Sequence, residues 1–175
     1  MPSTDASHLR LRPWDLTDTS LIAALNSPAM TEHTGGPEDD QKLSRRLQRY
    51  ADPKGDGAMF VIENSRGEPL GSIGFWTREW RGERVYETGW AVLPEFQGRG
   101  VASAAARLVI QRAAVAGGAT QLHAYPRVDH PASNATCRKA GFRLVGEVDF
   151  EYPLGNPIRS NDWMVDLAAV ADAGG

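Results

Sequence analysis

Residues 85–125 constrain the fold more than any other part of the chain, because they switch periodicity twice with glycines at each change. In the first run Tyr86, Thr88, Trp90 and Val92 share one side of a strand while Val85, Glu87, Gly89 and Ala91 share the other. Leu93-Pro94-Glu95-Phe96 then leads into Gln97-Gly98-Arg99-Gly100. Over 100–116 alanine and other helix formers dominate, and Gly117-Gly118 stops them. Residues 120–125 return as a strand. Strand, helix and strand in that order form a crossover, which buries its helix on a sheet and leaves a ligand crevice at the strand ends. The helix is expected to be largely buried: Ser103, Arg107 and Gln111 share a side, but Ile110 and Arg112 spoil a clean polar stripe.

The flanks supply an antiparallel portion. Residues 8–12 alternate as a short strand, Pro13 restricts the backbone, and Asp15 is placed to cap a helix over 16–26. A second helix is expected over 38–50, with Leu43 and Leu47 on its inner face, ended by the cluster at 52–57. Strands follow at 58–62 and 70–76 across a turn at 66–69, and 78–83 reads as a polar connection. After the crossover come a short helix at 132–139, a break at Gly141, strands at 142–150 and 161–167, and a soft tail from Ala168. The expected class is α/β with a mixed sheet, as one domain over 1–175 whose principal fold covers about 8–168.

Composition removes several function classes. Nineteen basic against 22 acidic residues give a formal charge of -3, so no general positive field exists to hold a nucleic-acid backbone. Residues 1–7 hold neither a basic start nor an apolar run, and no stretch approaches the ~18 apolar residues of a membrane span. A cytoplasmic location is therefore expected, with no membrane partner. Cys137 is the only cysteine, which excludes an internal disulfide and a thiolate-rich metal site. His33, His123 and His130 lack a metal-ligand spacing, and no metal is expected.

Gly98 and Gly100 remove Cβ atoms where backbone N–H groups can converge on an anion, and the helix terminus adds a favourable dipole. Residues 97–120 contain three arginines and no acidic residue, so local charge suits a phosphate or pyrophosphate. The alternative is an ordinary strand-turn-helix with glycines for geometry. Two familiar phosphate loops fit poorly, since the Lys-Ser/Thr pair of a triphosphate loop and the three-glycine spacing of a dinucleotide loop are both absent.

With Gln97-Gly98-Arg99-Gly100-Val101-Ala102, the preceding strand, the alanine-rich helix and Lys139-Ala140-Gly141-Phe142, the chain resembles the GNAT superfamily of N-acetyltransferases. Its character is similar to the branch containing ribosomal-protein N-terminal acetyltransferases, over roughly residues 9–167. The resemblance implies a central, twisted, mostly antiparallel sheet, splayed at the cofactor site and flanked by helices, and acetyl-CoA as cosubstrate. It implies that backbone N–H groups of Gln97, Gly98, Arg99, Gly100, Val101 and Ala102 hold the pyrophosphate. It also implies that the strand at Ala91 and Val92 parts from the strand near 122–124 to admit pantetheine.

The same resemblance implies direct attack by a neutral amine on the thioester. Glu87 is the candidate base, with a structural or amine-binding role as its alternative. Relatives often carry Asn-x-x-Ser ahead of Lys-x-Gly-Phe; here His130 takes the asparagine position and Ser133 is kept. Ser133 is a candidate donor to the coenzyme A sulfur or a helix cap. Cys137 falls where many members have a tyrosine acid, and reads as a buried or cofactor-lining thiol. His33 and Trp76 are candidate acceptor contacts, against solvent-facing and core roles, and exposed tryptophans can mark a homodimer surface. The acceptor is expected to be a small-molecule amine or, alternatively, a protein N-terminus; a noncatalytic acyl-CoA-binding regulatory module is the competing class.

Overall fold

The computed structural model describes residues 6–52, 57–151 and 154–174. Seven strands form one sheet in the order β1-β2-β3-β4-β5-β7-β6. They are β1 (Arg10–Pro13), β2 (Ala58–Glu63), β3 (Pro69–Trp80), β4 (Glu83–Val92), β5 (Gln121–Ala124), β6 (Arg143–Glu151) and β7 (Pro157–Asp166). Neighbours are antiparallel except β4 and β5, which the crossover helix α3 (Val101–Ala116) joins in parallel. Two Gly residues bound α3 in the left-handed region, Gly100 at φ 78° and Gly117 at φ 71°, a conformation that costs other residues about 1–2 kcal/mol.

Each sheet face buries a different helix set. Val101, Ala105, Ala106, Val109 and Ala113 of α3 pack with Phe60, Ile62, Tyr86 and Leu122 of the strands. The helices α4 (Pro131–Ala140) and α5 (Leu167–Ala173) join that layer through Ala140 and Leu167. On the other face, Leu21, Ile22 and Leu25 of α1 (Thr19–Leu25) and Leu47 of α2 (Asp40–Ala51) cover Trp14, Val61 and Leu93. The alternation of Val61 against Phe60 and Ile62 is the strand period dividing one run between two cores. No helix among the described residues is long and apolar enough to cross a membrane.

Four expectations need correction. Asp15 does not cap α1: its Oδ1 accepts from the Thr17 N–H and hydroxyl, and Asp18, held by Arg12, occupies the N-cap. Residues 78–80 are not a connection but the end of β3, paired Arg78↔Val85, Glu79↔Arg84 and Trp80↔Glu83. The turn is only Arg81-Gly82, both at positive φ (52° and 78°), the conformation a two-residue hairpin requires. The tail from Leu167 is helical, because Asp166 accepts from the N–H groups of Ala168 and Ala169 and Leu167 is buried. β7 starts at Pro157, four residues earlier than alternation indicates. Residues 53–56 of the cluster expected to end α2 lie outside the described residues.

Candidate active site

The crossover opens the sheet. β4 pairs with β5 only at Tyr86↔Leu122 and Glu87↔His123, whereas on its other side β4 stays paired with β3 as far as Gly71↔Val92. The β4 edge from Thr88 onward therefore has no β5 partner among the described residues. A cavity of about 540 Å³ occupies the opening, walled by β4, the segment after β5, the N-terminus of α4 and the end of β6.

Glu87 stands in that wall with its side chain 19% exposed. Its Oε2 accepts from Arg78 Nη1 at 2.9 Å and from Trp76 Nε1 at 3.2 Å. Trp76 lies over Gly89, where an added Cβ would sit 3.1 Å from the indole Cη2. The glycine thus makes room for the ring, and Glu87 pins its N–H. Trp76 is the only aromatic among the exposed large hydrophobic residues of the described chain, and it lines the cavity.

His33 and His130 meet on the cavity wall with ring centroids 4.6 Å apart. Burial, then the neighbouring His33, holds His130 below its ordinary pKa. His130 N-caps α4 through Nδ1, which accepts from the Ser133 N–H at 3.4 Å, so Ser133 is the capped residue and not the cap. The Ser133 hydroxyl lies 3.3 Å from His130 Nε2 and also lines the cavity. One residue on, buried Asn134 donates to the carbonyls of Arg127 and His130 and accepts from Asn161 Nδ2 and Trp163 Nε1. Its carbonyl oxygen thus ties α4 to β7, while its amide holds the segment between β5 and α4.

Gly98 and Gly100 both hold positive φ, 72° and 78°, on an exposed turn with Arg99 between them. The N–H groups of Val101 and Ala102 open the first turn of α3, where a helix offers them no internal acceptor. Val101 is 2% exposed, so its side chain is core and only its backbone can face a ligand. Val92 is likewise buried and Ala91 half-buried. The Gln97 N–H donates to the Pro94 carbonyl at 3.3 Å, while its side-chain amide donates to the Val92 carbonyl at 2.8 Å. Gln97 anchors the turn to the end of β4. Cys137 takes the buried one of its two expected placements. It is 0% exposed inside the α3-side core, and burial pushes its thiol up to about 12, which makes it a packed apolar group with no surface toward the cavity.

Sequence reading missed Arg78, Tyr125 and Phe150, all on the cavity wall. The available signal was Arg81-Gly82: read as a hairpin turn, it extends the β3 alternation to Arg78, on the same side as Trp76. Among the described residues no group of three or more His, Cys, Asp or Glu could hold a metal ion.

The sheet thus parts beside a glycine turn at a helix N-terminus, with a carboxylate in the opening, and the family match places the chain among the acetyl-CoA-dependent N-acetyltransferases. The model of the Acetyltransferase (GNAT) domain matches residues 8–143, and the chain belongs to that family. No curated protein matches by sequence. Solved structures share the fold at low identity. The GNAT-family acetyltransferase from Bacillus anthracis is 19% identical at TM-score 0.77, over 92% of this chain and 96% of its own. Spermidine N-acetyltransferase from Vibrio cholerae, solved with CoA and spermine, is 16% identical at TM-score 0.77, over 93% and 97%. The ribosomal L7/L12 alpha-N-protein acetyltransferase RimL, in complex with coenzyme A, is 22% identical at TM-score 0.75, over 91% and 94%.

Proposed function

We propose that this enzyme acetylates a small primary amine bearing a single positive charge, by direct attack on acetyl-CoA with Glu87 as general base. The observation that carries this reading is the Glu87 carboxylate in the cavity wall where β5 leaves β4. An alkyl ammonium, with a pKa of about 10, has no lone pair at neutral pH, so a proton must leave before nitrogen can attack. Glu87 takes that proton. Nitrogen then bonds to the thioester carbon, the C–S bond breaks, and the second nitrogen proton is lost as the thiolate gains one. The sum is R–NH3+ plus acetyl-CoA giving the acetamide, CoA thiol and a proton. An N–H near Ala91 or Val92 serves the developing oxyanion, and the Ser133 hydroxyl serves the sulfur.

Acceptor size and charge follow from the cavity. A volume of about 540 Å³ lies within the range of small-molecule sites. Glu87 and Glu151 are balanced by Arg78 and Arg127 on the same wall, so a polyamine would find no excess negative charge for its further ammonium groups. Trp76 offers an aromatic surface beside the base for the body of a monoamine.

The test is a panel of monoamines, spermidine, an aminoglycoside and N-terminal peptides, read by CoA release with the acetylated product confirmed by mass. A monoamine is expected to give the highest kcat/KM. A peptide or polyamine as sole acceptor overturns the acceptor class, and tight acetyl-CoA binding with no release from any amine overturns the catalytic reading.

The proposed pyrophosphate turn has its own test. Gly100→Val forces a β-branched residue into the left-handed region at φ 78°, and is expected to raise KM for acetyl-CoA about tenfold or more. KM for the amine should change little. An unchanged KM for acetyl-CoA removes this turn from cofactor binding.

A further inference from the structure

We infer that Trp80, Tyr125 and Phe150 form a guanidinium box whose occupant, Arg78, acts as the positioning residue for Glu87; the catalytic half of this rests on the base role proposed above. The Arg78 Cζ lies 4.7 Å from the Phe150 ring centroid, 5.0 Å from Tyr125 and 5.4 Å from Trp80. The three rings support one another: Trp80 to Tyr125 is 5.1 Å, Trp80 to Phe150 is 5.3 Å, and Tyr125 meets Phe150 edge-on at 5.1 Å. Tyr125 is in turn stacked on buried His123, at 5.6 Å and 14°, and His123 is held by Asp162 at 2.6 Å. The box is therefore walled from three separate strand ends and braced from behind.

An exposed ion pair contributes little, because two mobile chains must be ordered against solvent. Arg78 differs from that case: its side chain is 32% exposed, with aromatic rings around the guanidinium. A planar guanidinium stacks on such rings while its N–H groups stay available in a fixed fork at the edge; a lysine ammonium is a compact charge with no plane to stack and no fixed fork. Here the edge delivers Nη1 to Glu87 Oε2 at 2.9 Å, and Trp76 Nε1 reaches the same oxygen at 3.2 Å. With both donors on Oε2, the carboxylate cannot swing freely, and Oε1 is the oxygen left to meet the acceptor's ammonium. Arg78 thus sets the direction from which Glu87 receives a proton.

Two measurements test the box and the coupling separately. Arg78→Ala empties the box without removing its walls, so added methylguanidinium is expected to bind this variant in calorimetry and to leave the wild type silent. No binding to Arg78→Ala overturns the guanidinium box, and this readout needs no acceptor or turnover. With the best amine of the panel, Arg78→Ala is expected to lower kcat about 10–100-fold with KM for acetyl-CoA unchanged. Methylguanidinium should restore a large part of that loss, and Arg78→Lys should restore little. In an Glu87→Gln background, Arg78→Ala should cost no more than a few-fold, because the group it orients has gone. Equal losses in both backgrounds overturn the positioning role while leaving Glu87 as base; no loss from Glu87→Gln alone overturns the base instead. If Arg78→Ala does not fold, Arg78→Met keeps the aliphatic stem and Phe150→Leu removes one wall. Both should show the same background dependence, the loss from each shrinking to no more than a few-fold once Glu87 is Gln; failure of either overturns the proposal.

Discussion

Glu87→Gln is expected to lower kcat about 10²–10⁴-fold at pH 7, the usual contribution of a positioned base, with KM for acetyl-CoA unchanged. The substitution is nearly isosteric. The glutamine carbonyl can still accept from Arg78 Nη1 and Trp76 Nε1, which both use Oε2 in the native side chain, so the box and the indole keep their places. What disappears is the capacity to take a proton. The deficit is then set by how little free amine exists in solution. For an acceptor of pKa about 10, each unit of pH up to that value raises the free amine roughly tenfold, so the variant's kcat/KM should climb with pH where the wild type's climbs less. Stopped or steady-state CoA release across pH 7 to about 10 measures this. A variant matching wild type at pH 7 removes Glu87 from the base role.

The second large effect concerns stability. His123 Nδ1 and Asp162 Oδ1 are 2.6 Å apart between side chains only 5% and 1% exposed, and Asp162 Oδ2 has no hydrogen-bond partner among the described residues. His123→Leu leaves the Asp162 carboxyl buried with neither oxygen paired, and is expected to cost about 3–5 kcal/mol in urea unfolding. Against a typical total of about 5–15 kcal/mol, that is a large share of the stability. Replacing both partners, His123→Leu with Asp162→Leu, should recover most of the loss, because the penalty belongs to the stranded polar group more than to the missing contact. A double variant whose loss equals the sum of the two single losses contradicts this coupling. Since Tyr125 stacks on His123, the single variant should also loosen the box around Arg78.

How much of the site was legible depends on the range of the interactions that build it. The glycine turn was legible because φ is a local property: Gly98 and Gly100 hold the left-handed conformations that their lack of a Cβ permits. Glu87 was legible because alternation places it opposite the core side of β4, with Gly89 beside it. Arg78 was lost because residues 78–83 are polar, and a strand whose side chains face a cavity and solvent looks like a loop when no core face marks it. Sequence alone does not choose between core and cofactor for Cys137, because one turn of a short helix carries both directions, and only packing against α3 turns it inward. The tail read as soft because its capping residue, Asp166, was counted as strand.

The sequence by itself determined the crossover, the glycine-bounded helix, the family and the carboxylate at the strand centre, since each is written in neighbouring residues through backbone conformation and side-chain period. Tertiary structure alone decided that β4 and β5 part after Glu87↔His123, and that Arg78, Tyr125 and Phe150 converge beside Glu87. Those residues come from different strands, and their meeting depends on register and sheet order, where a shift of one residue would turn every side chain to the opposite face.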